Sequence, residues 1–234
     1  DGDDYVITGE KHYIGNSPIA DVALVFAKTA PERGSWGVSV FLVDMHDPAI
    51  IRDAAQDKMG LRTLPMGAVR VEGLRVPASA MLGKPGVGAA IFRCALEWER
   101  GLVFSAPVGT MRRHLEDCVA FARDRKQFGQ PVAEFQSVSN RLADMRLRLE
   151  TARLVMLRTA LALETGEDVT LMTSMSKLHL SEASLASAQD ALRVFGGQAY
   201  LRGHEIERSL RDMLGGVIYS GTSDIQRNLI AQML

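Results

Sequence analysis

The sequence is short of the features that announce a surface for polyanions, membranes or metals. Its 27 Lys and Arg against 28 Asp and Glu leave a formal charge of −1. No basic block interrupts the mixture, so nucleic acid and an anionic membrane surface are not expected partners. No apolar run reaches the ~18 residues of a membrane span. Cysteine is nearly missing. Cys94 and Cys118 have neither metal nor redox spacing, which fits buried thiols in a reduced, cytoplasmic setting. The five histidines (His12, His46, His114, His179, His204) form no HxxxH or HExxH, so no metal site is expected. No GxGxxG follows a strand and no GxSxG elbow occurs, which leaves a Rossmann site and a serine-hydrolase elbow unsupported. Internal repeats and low-complexity segments are also missing. No signal peptide is visible: the opening "DGDDYVITG" reads as the middle of a protein, and an upstream portion is expected.

What is present is a core. Hydrophobic residues make up 47% of the 234 positions, enough to bury one large domain or two modest ones. Up to about residue 85, runs rich in Val, Phe and Tyr ("YVITG", "DVALVFAKT", "WGVSVFLVD", "GAVRVEGLRV") alternate with Gly, Pro, Asn and Asp clusters. They predict an antiparallel β-barrel or small sandwich over 1–84. "RVPASAMLGKPGVG" marks a boundary, and the period then becomes helical. One helix is expected over 87–126, kinked at Pro107. A second is expected over 134–165, with Leu142, Met145, Leu149, Leu154 and Leu161 inward and Gly166 as its stop. A third is expected over 169–195, closed by Gly196-Gly197. A shorter one should cover 204–214, and a last one begins near Ser223, where Ser223 and Gln226 have capping-box spacing. The fold class predicted is α+β: a β domain at 1–84 followed by an antiparallel four-helix bundle at 85–234.

Singly, the conspicuous motifs have ordinary structural readings. Gly196-Gly197 serves as a helix stop, "DRKQFG" as a charged helix end with Phe128 packed inward, and "LEWERG" (96–101) as a solvated helix start whose acidic residues meet the helix dipole. Together and in order, "GEKHYIGNSPIADVALVFAKT", "KMGLR", "VEGLRVPASAMLG", "ARDRKQFGQPVAEFQ", "LRVFGGQAYLRGHEIERSLRD" and "YSGTSDIQR" resemble the acyl-CoA dehydrogenase family. The resemblance covers that family's middle and C-terminal domains. The family's N-terminal all-α domain and its flavin loop find no counterpart in the chain.

The resemblance implies an FAD-dependent oxidoreductase that converts an acyl thioester into its α,β-enoyl thioester. A base takes the α-proton, and flavin N5 takes the β-hydride. The acyl carrier is CoA or a carrier protein. Electrons leave to electron-transfer flavoprotein or to oxygen, and the family's usual assembly is a homodimer or homotetramer, with fatty acid metabolism its usual setting. Many members carry the base as a glutamate just before Gly-Thr-Ser; here that residue is Ser220. A subset resembling isovaleryl-CoA dehydrogenase places it on the first bundle helix, before an arginine. Glu99 followed by Arg100 matches that pattern, with Glu97 as its neighbour ~200° around the axis. Chemistry asks for a carboxylate in an apolar pocket. For the cofactor, the resemblance points to Tyr13, Ile14 and Gly15 beside the ring. It also points to Arg125, Gln127 and Phe128 reaching a neighbouring subunit's FAD, and to Arg193, Gly196, Gly197, Thr222 and Asp224. Arg100, Ser220 and Gly221 fall on the substrate side. Two alternatives belong to the same reading: a prolyl- or aminoacyl-carrier-protein dehydrogenase or flavin oxidase of secondary metabolism, and a non-catalytic partner subunit.

Overall fold

The computed structural model describes residues 4–234; the first three residues of the expected β domain lie outside the described residues. The chain divides into two compact units, 1–95 and 96–234.

The first unit holds β1 (Asp4–Gly15), β2 (Val22–Lys28), β3 (Val38–Asp44), β4 (Ile50–Arg52) and β5 (Met66–Pro77). Two antiparallel sheets result, ordered β1-β5-β4 and β2-β3. The β2–β3 register runs unbroken from Val22↔Asp44 to Lys28↔Val38. The β1–β5 ladder shifts register between Ile7 and Gly9 and again between Lys11 and Ile14. Alternation turns every second side chain inward. Ile7, Phe41, Val43, Val69, Val71 and Val76 therefore share one core, flanked by Ala23, Val25 and Ala27 of β2. Both sheets are open among the described residues, and no closed barrel forms among them. β1 and β5 are long enough to pair with each other, but three-residue β4 ends its sheet early.

The helices are α1 (Gly88–Leu102), α2 (Ser105–Asp124), α3 (Gln136–Thr165), α4 (Thr170–Phe195), α5 (Glu205–Gly216) and α6 (Ser223–Gln232). A two-residue-per-strand hairpin, β6 (Lys126–Gln127) and β7 (Gln130–Pro131), lies between α2 and α3. α4 packs against α2, α3, α5 and α6. Its core partners include Phe104, Met111, Met145, Leu149 and Ile206.

Several sequence expectations need correction. The 87–126 segment is two helices, not one kinked helix. The break falls at Val103–Phe104, and Pro107 sits in the first turn of α2, where its missing N–H has no intrahelical acceptor to lose. Ser223 and Gln226 form no capping box. Thr222 is the cap, accepting from Ile225 N at 3.2 Å, and Gln226 turns back toward the preceding loop. Leu154 and Leu161 are exposed. The inward face of α3 is marked by Met145, Leu149, Ala152, Thr159 and Ala162, and Leu154 lies ~200° from Ala152. Cys118 is buried, and burial pushes its thiol up to about 12, but Cys94 is exposed. Gly166 closes α3 with φ 71. No described helix is long and apolar enough to cross a membrane.

Candidate active site

The segment between α5 and α6 (217–222) is held from several elements of the helical unit. Its root is Gly216, the last residue of α5. The Lys177 ammonium, on α4 and 0% exposed, donates to Gly216 O at 2.9 Å and lies 5.9 Å from the Phe104 ring centre. Burial pulls the Lys177 pKa down to about 8, with Glu182 opposing and Arg100 reinforcing the shift. Tyr219 stacks on Phe104, with centroids 5.8 Å apart and planes 12° from parallel. Burial, then the charge of Glu99, pushes the Tyr219 phenol up.

Ser220 follows with φ 56, in the left-handed region, and Gly221 continues it at φ 87. The Ser220 carbonyl accepts from Arg100 Nε at 3.4 Å and from Gln226 Nε2 at 3.2 Å. Gln226 Nε2 also reaches Gly221 O at 3.3 Å. Gly221's φ of 87 favours glycine, and a Cβ there would also stand 2.4 Å from Gln226 Nε2, displacing that amide from its loop carbonyls. The Ser220 hydroxyl donates to Glu99 Oε1, joining positions 121 residues apart. Glu97 faces elsewhere and accepts from Thr170 Oγ1 at 3.1 Å, at the start of α4. Glu99 is exposed within the helical unit, so this unit does not itself supply the apolar surroundings expected of a base. The arrangement brings together Glu99, Arg100, Ser220 and Gly221. It adds Lys177, Tyr219 and Gln226, which sequence reasoning missed. Tyr219 and Gln226 lie inside the "YSGTSDIQR" motif; Lys177 gave no signal beyond one cation in an otherwise uncharged helix face.

The residues expected to meet a cofactor are mostly on open surface. Tyr13 is 74% exposed at a β1 irregularity, with φ 59. Ile14 pairs with Gly67 and Gly15 with Met66; a Cβ on Gly15 would meet only Leu64 at ordinary contact. Phe128 and Gly129 form the hairpin tip, at φ 52 and 82, the two positive values that a type I′ turn requires. Phe128 is 94% exposed, with Phe135 its ring neighbour at 6.1 Å. Arg125 is exposed at the end of α2, and Gln127 donates to Lys126 O at 2.8 Å. Nothing lies within 4 Å of a Cβ built on Gly196 or Gly197, so a ligand can approach that backbone closely. Thr222 is spent on its cap, and Asp224 pairs with Arg227 at 3.4 Å. Exposed planar rings, an exposed guanidinium and open glycine backbone are the donor set that a flavin ring and a pyrophosphate need.

Arg193 faces a different partner. The Asp190 carboxylate, nearly buried, accepts from Arg141 Nη1 and Arg148 Nη2, each at 2.8 Å, and from Arg193 Nη1 at 3.2 Å. Burial alone pushes this carboxyl up, but the hydrogen bonds from Arg148 and Arg141 outweigh it and hold the group low. No cluster of three or more His, Cys, Asp or Glu suited to a metal occurs among the described residues.

Comparison with known proteins gives consistent matches. Residues 86–234 match the model of the acyl-CoA dehydrogenase C-terminal domain, and residues 1–74 that of the middle domain. An L-prolyl-(peptidyl-carrier protein) dehydrogenase of Pseudomonas fluorescens is 43% identical over 98% of the chain, which spans 60% of that protein. The crystal structure of the prolyl acyl carrier protein oxidase AnaB superposes with a TM-score of 0.98 at 42% identity. That match covers all of the chain and 62% of AnaB. A structure of PigA with FAD and proline gives 0.95 at 38% identity, covering 98% of the chain and 60% of PigA. The chain thus spans about three fifths of the length of these relatives.

Proposed function

The chain belongs to the acyl-CoA dehydrogenase family, and from that premise we propose that it is part of an FAD-dependent enzyme that oxidises an acyl thioester to its α,β-enoyl thioester. Residues 1–84 act as the middle domain, an antiparallel barrel or small sandwich, and 85–234 as an antiparallel four-helix bundle. One observation carries the reading of the active residue. A carboxylate on α1, Glu99, meets the hydroxyl of Ser220 at the loop position where many family members keep their glutamate.

In this reading Glu99 takes the α-proton. Electrons from that C–H bond form the new double bond as hydride leaves the β-carbon. Bound FAD supplies the acceptor for that hydride and its two electrons. Tyr13, Ile14 and Gly15 line its ring. Arg125, Gln127 and Phe128 reach the FAD of a neighbouring copy. Gly196, Gly197, Thr222 and Asp224 border the rest, with the N-terminal dipole of α6 favouring anionic groups. Arg193 contributes only the charge that its pairing with Asp190 leaves over. Arg100 and Gly221 shape the substrate side. Self-association into a dimer or tetramer is supported by the exposed Leu147, Leu154, Leu157 and Leu161 along α3. A cytoplasmic setting suits the two free thiols.

The prolyl group on a carrier protein is the narrower substrate we favour, because proteins named for that reaction match at 43% identity and at a TM-score of 0.98. The test is anaerobic mixing of the FAD-loaded protein with prolyl-carrier thioester and with short acyl-CoA thioesters. Prolyl-carrier thioester should bleach the flavin fastest, and Glu99→Gln should slow bleaching by about 10³-fold or more. Unchanged bleaching in Glu99→Gln sinks the base assignment. No bleaching by any thioester favours a non-catalytic partner subunit. Admitting air, or electron-transfer flavoprotein, then separates an oxidase from a dehydrogenase.

A further inference from the structure

We propose that Ser220 is a positioning residue for proton abstraction: its hydroxyl fixes the Glu99 carboxylate so that Oε2 is the oxygen that takes the α-proton. The inference rests on Glu99 being the base, and goes beyond the idea that a small residue at 220 merely leaves room.

The backbone is the first argument. Ser220 sits at φ 56, a region that L side chains rarely adopt and glycine enters freely. The only thing serine adds over glycine at this position is a hydroxymethyl group. Its oxygen is directed at Glu99 Oε1. A strained residue whose side chain has one specific partner points to use of that partner.

The second argument is how firmly the turn is held. Arg100, the residue after Glu99, donates to the Ser220 carbonyl, so one turn of α1 supplies both the carboxylate and the clamp on its hydrogen-bond donor. Gln226 of α6, 0% exposed, grips Ser220 O and Gly221 O together. Lys177 of α4 pins Gly216 at one end of the loop, and Thr222 caps α6 at the other. Groups on α1, α4 and α6 thus set the position of one hydroxyl. An exposed glutamate samples many rotamers, and a fixed donor on Oε1 removes most of them before substrate arrives. With Oε1 engaged, Oε2 keeps its lone pairs for the proton. Once protonated there, the carboxyl still accepts from Ser220 through Oε1.

The test uses the FAD-loaded protein that contains this chain and an arylacetyl thioester, which has α-hydrogens but no β-hydrogen. Such a molecule can lose and regain an α-proton without any electron transfer. Its α-hydrogen exchange into D2O is followed by NMR, and its binding by the perturbation of the flavin absorbance. Glu99→Gln should abolish exchange. Ser220→Ala and Ser220→Gly should each slow it about tenfold with binding unchanged. Glycine tolerates positive φ, so the second variant keeps the turn intact if alanine disturbs it. With the true substrate, both Ser220 variants should raise the α-deuterium isotope effect on flavin reduction and leave the β-deuterium effect as in the wild type. Wild-type exchange in both Ser220 variants, with none in Glu99→Gln, overturns the positioning role and leaves the base standing. Weakened binding in proportion to lost exchange also overturns it, because Ser220 then contacts substrate instead. Wild-type exchange in Glu99→Gln removes the base assignment and this inference together.

Discussion

The β unit and the helical unit bury different chemistry. In the first, the inward face of each strand is aliphatic or aromatic, and Ser17 and Ser39 are the buried polar side chains among the described residues. In the second, α4 alone buries Thr173, Ser176, Lys177, Ser181, Ser187 and Asp190. Small hydroxyl residues let neighbouring helices approach α4 closely, and several satisfy themselves on the preceding turn, as Thr173 does on Val169 O at 2.8 Å. The two interiors are therefore specified differently. Volume and alternation define the β core; the helical unit adds buried polar groups, some of them partnered, to an apolar cluster of its own. The loop that carries Ser220 hangs from the second kind of interior.

The largest effect should come from breaking a polar partnership outright. Asp190→Ala leaves the part-exposed guanidinium groups of Arg141 and Arg148 without their shared partner, and should cost about 3 kcal/mol. Phe41→Ala, in the β core and 0% exposed, should cost about the same by leaving a cavity. The difference lies in the remedy. Adding Arg148→Met to Asp190→Ala should restore at least about 1 kcal/mol, because it removes an unpaired charge. No polar deletion should rescue Phe41→Ala. Urea midpoints measure all of these, and a cost below about 1 kcal/mol for Asp190→Ala breaks the contrast.

The same contrast explains what the sequence made legible. The runs at 5–9, 21–29, 36–44 and 67–76 fall on β1, β2, β3 and β5, because strands with one buried face must alternate. α3 and α4 were readable for their length, and Gly166 for its terminating role. Periodicity failed where the interior is polar or the face is exposed. It counted Leu154 and Leu161 as core, since a leucine carries the same signal on either side of a helix. It read through the α1–α2 break, because Pro107 marks the first turn of the new helix and not the gap itself. It assigned Gln226 to a cap, when burial had committed that amide to two loop carbonyls. Residues 99 and 220 suggested each other only through the motifs that resemble a known family; no spacing rule links positions that far apart. Lys177 was invisible, since a buried lysine looks like any other until its surroundings are known.

Acid should attack the helical unit first. His114 is buried on α2, and burial, then the charge of Arg113, lowers its pKa to about 4, with Asp117 opposing. At neutral pH it is uncharged in both states. As pH falls below about 6.5 the unfolded chain gains a proton that the native one refuses, so stability falls until about pH 4, by about 3 kcal/mol in all. The β unit's histidines, His12 and His46, are exposed. Amide hydrogen exchange at pH 7 and pH 4.5 should show protection lost in 96–234 well before 4–95. His114→Leu should flatten that loss. Equal loss in both units breaks the comparison.

The smallest effect should come from Lys177, and it tests whether every buried polar group on α4 is a partner of the Asp190 kind. Lys177→Met keeps the length of the side chain and removes the ammonium. Gly216 O then loses its donor, at a cost of about 1 kcal/mol. Against that, the desolvation of a charged amine disappears. The net change at pH 7 should stay within about 1 kcal/mol, far below that for Asp190→Ala. The pH dependence gives the sign. The folded pKa, about 8, lies below the ordinary 10.5, so between those values the unfolded chain binds the proton more tightly. Wild-type stability should therefore rise relative to Lys177→Met as pH climbs from about 8 toward 10.5, and stay parallel to it below 8. A loss above about 3 kcal/mol at pH 7, or parallel curves throughout, would place Lys177 beside Asp190 as a charge whose partner the fold cannot do without.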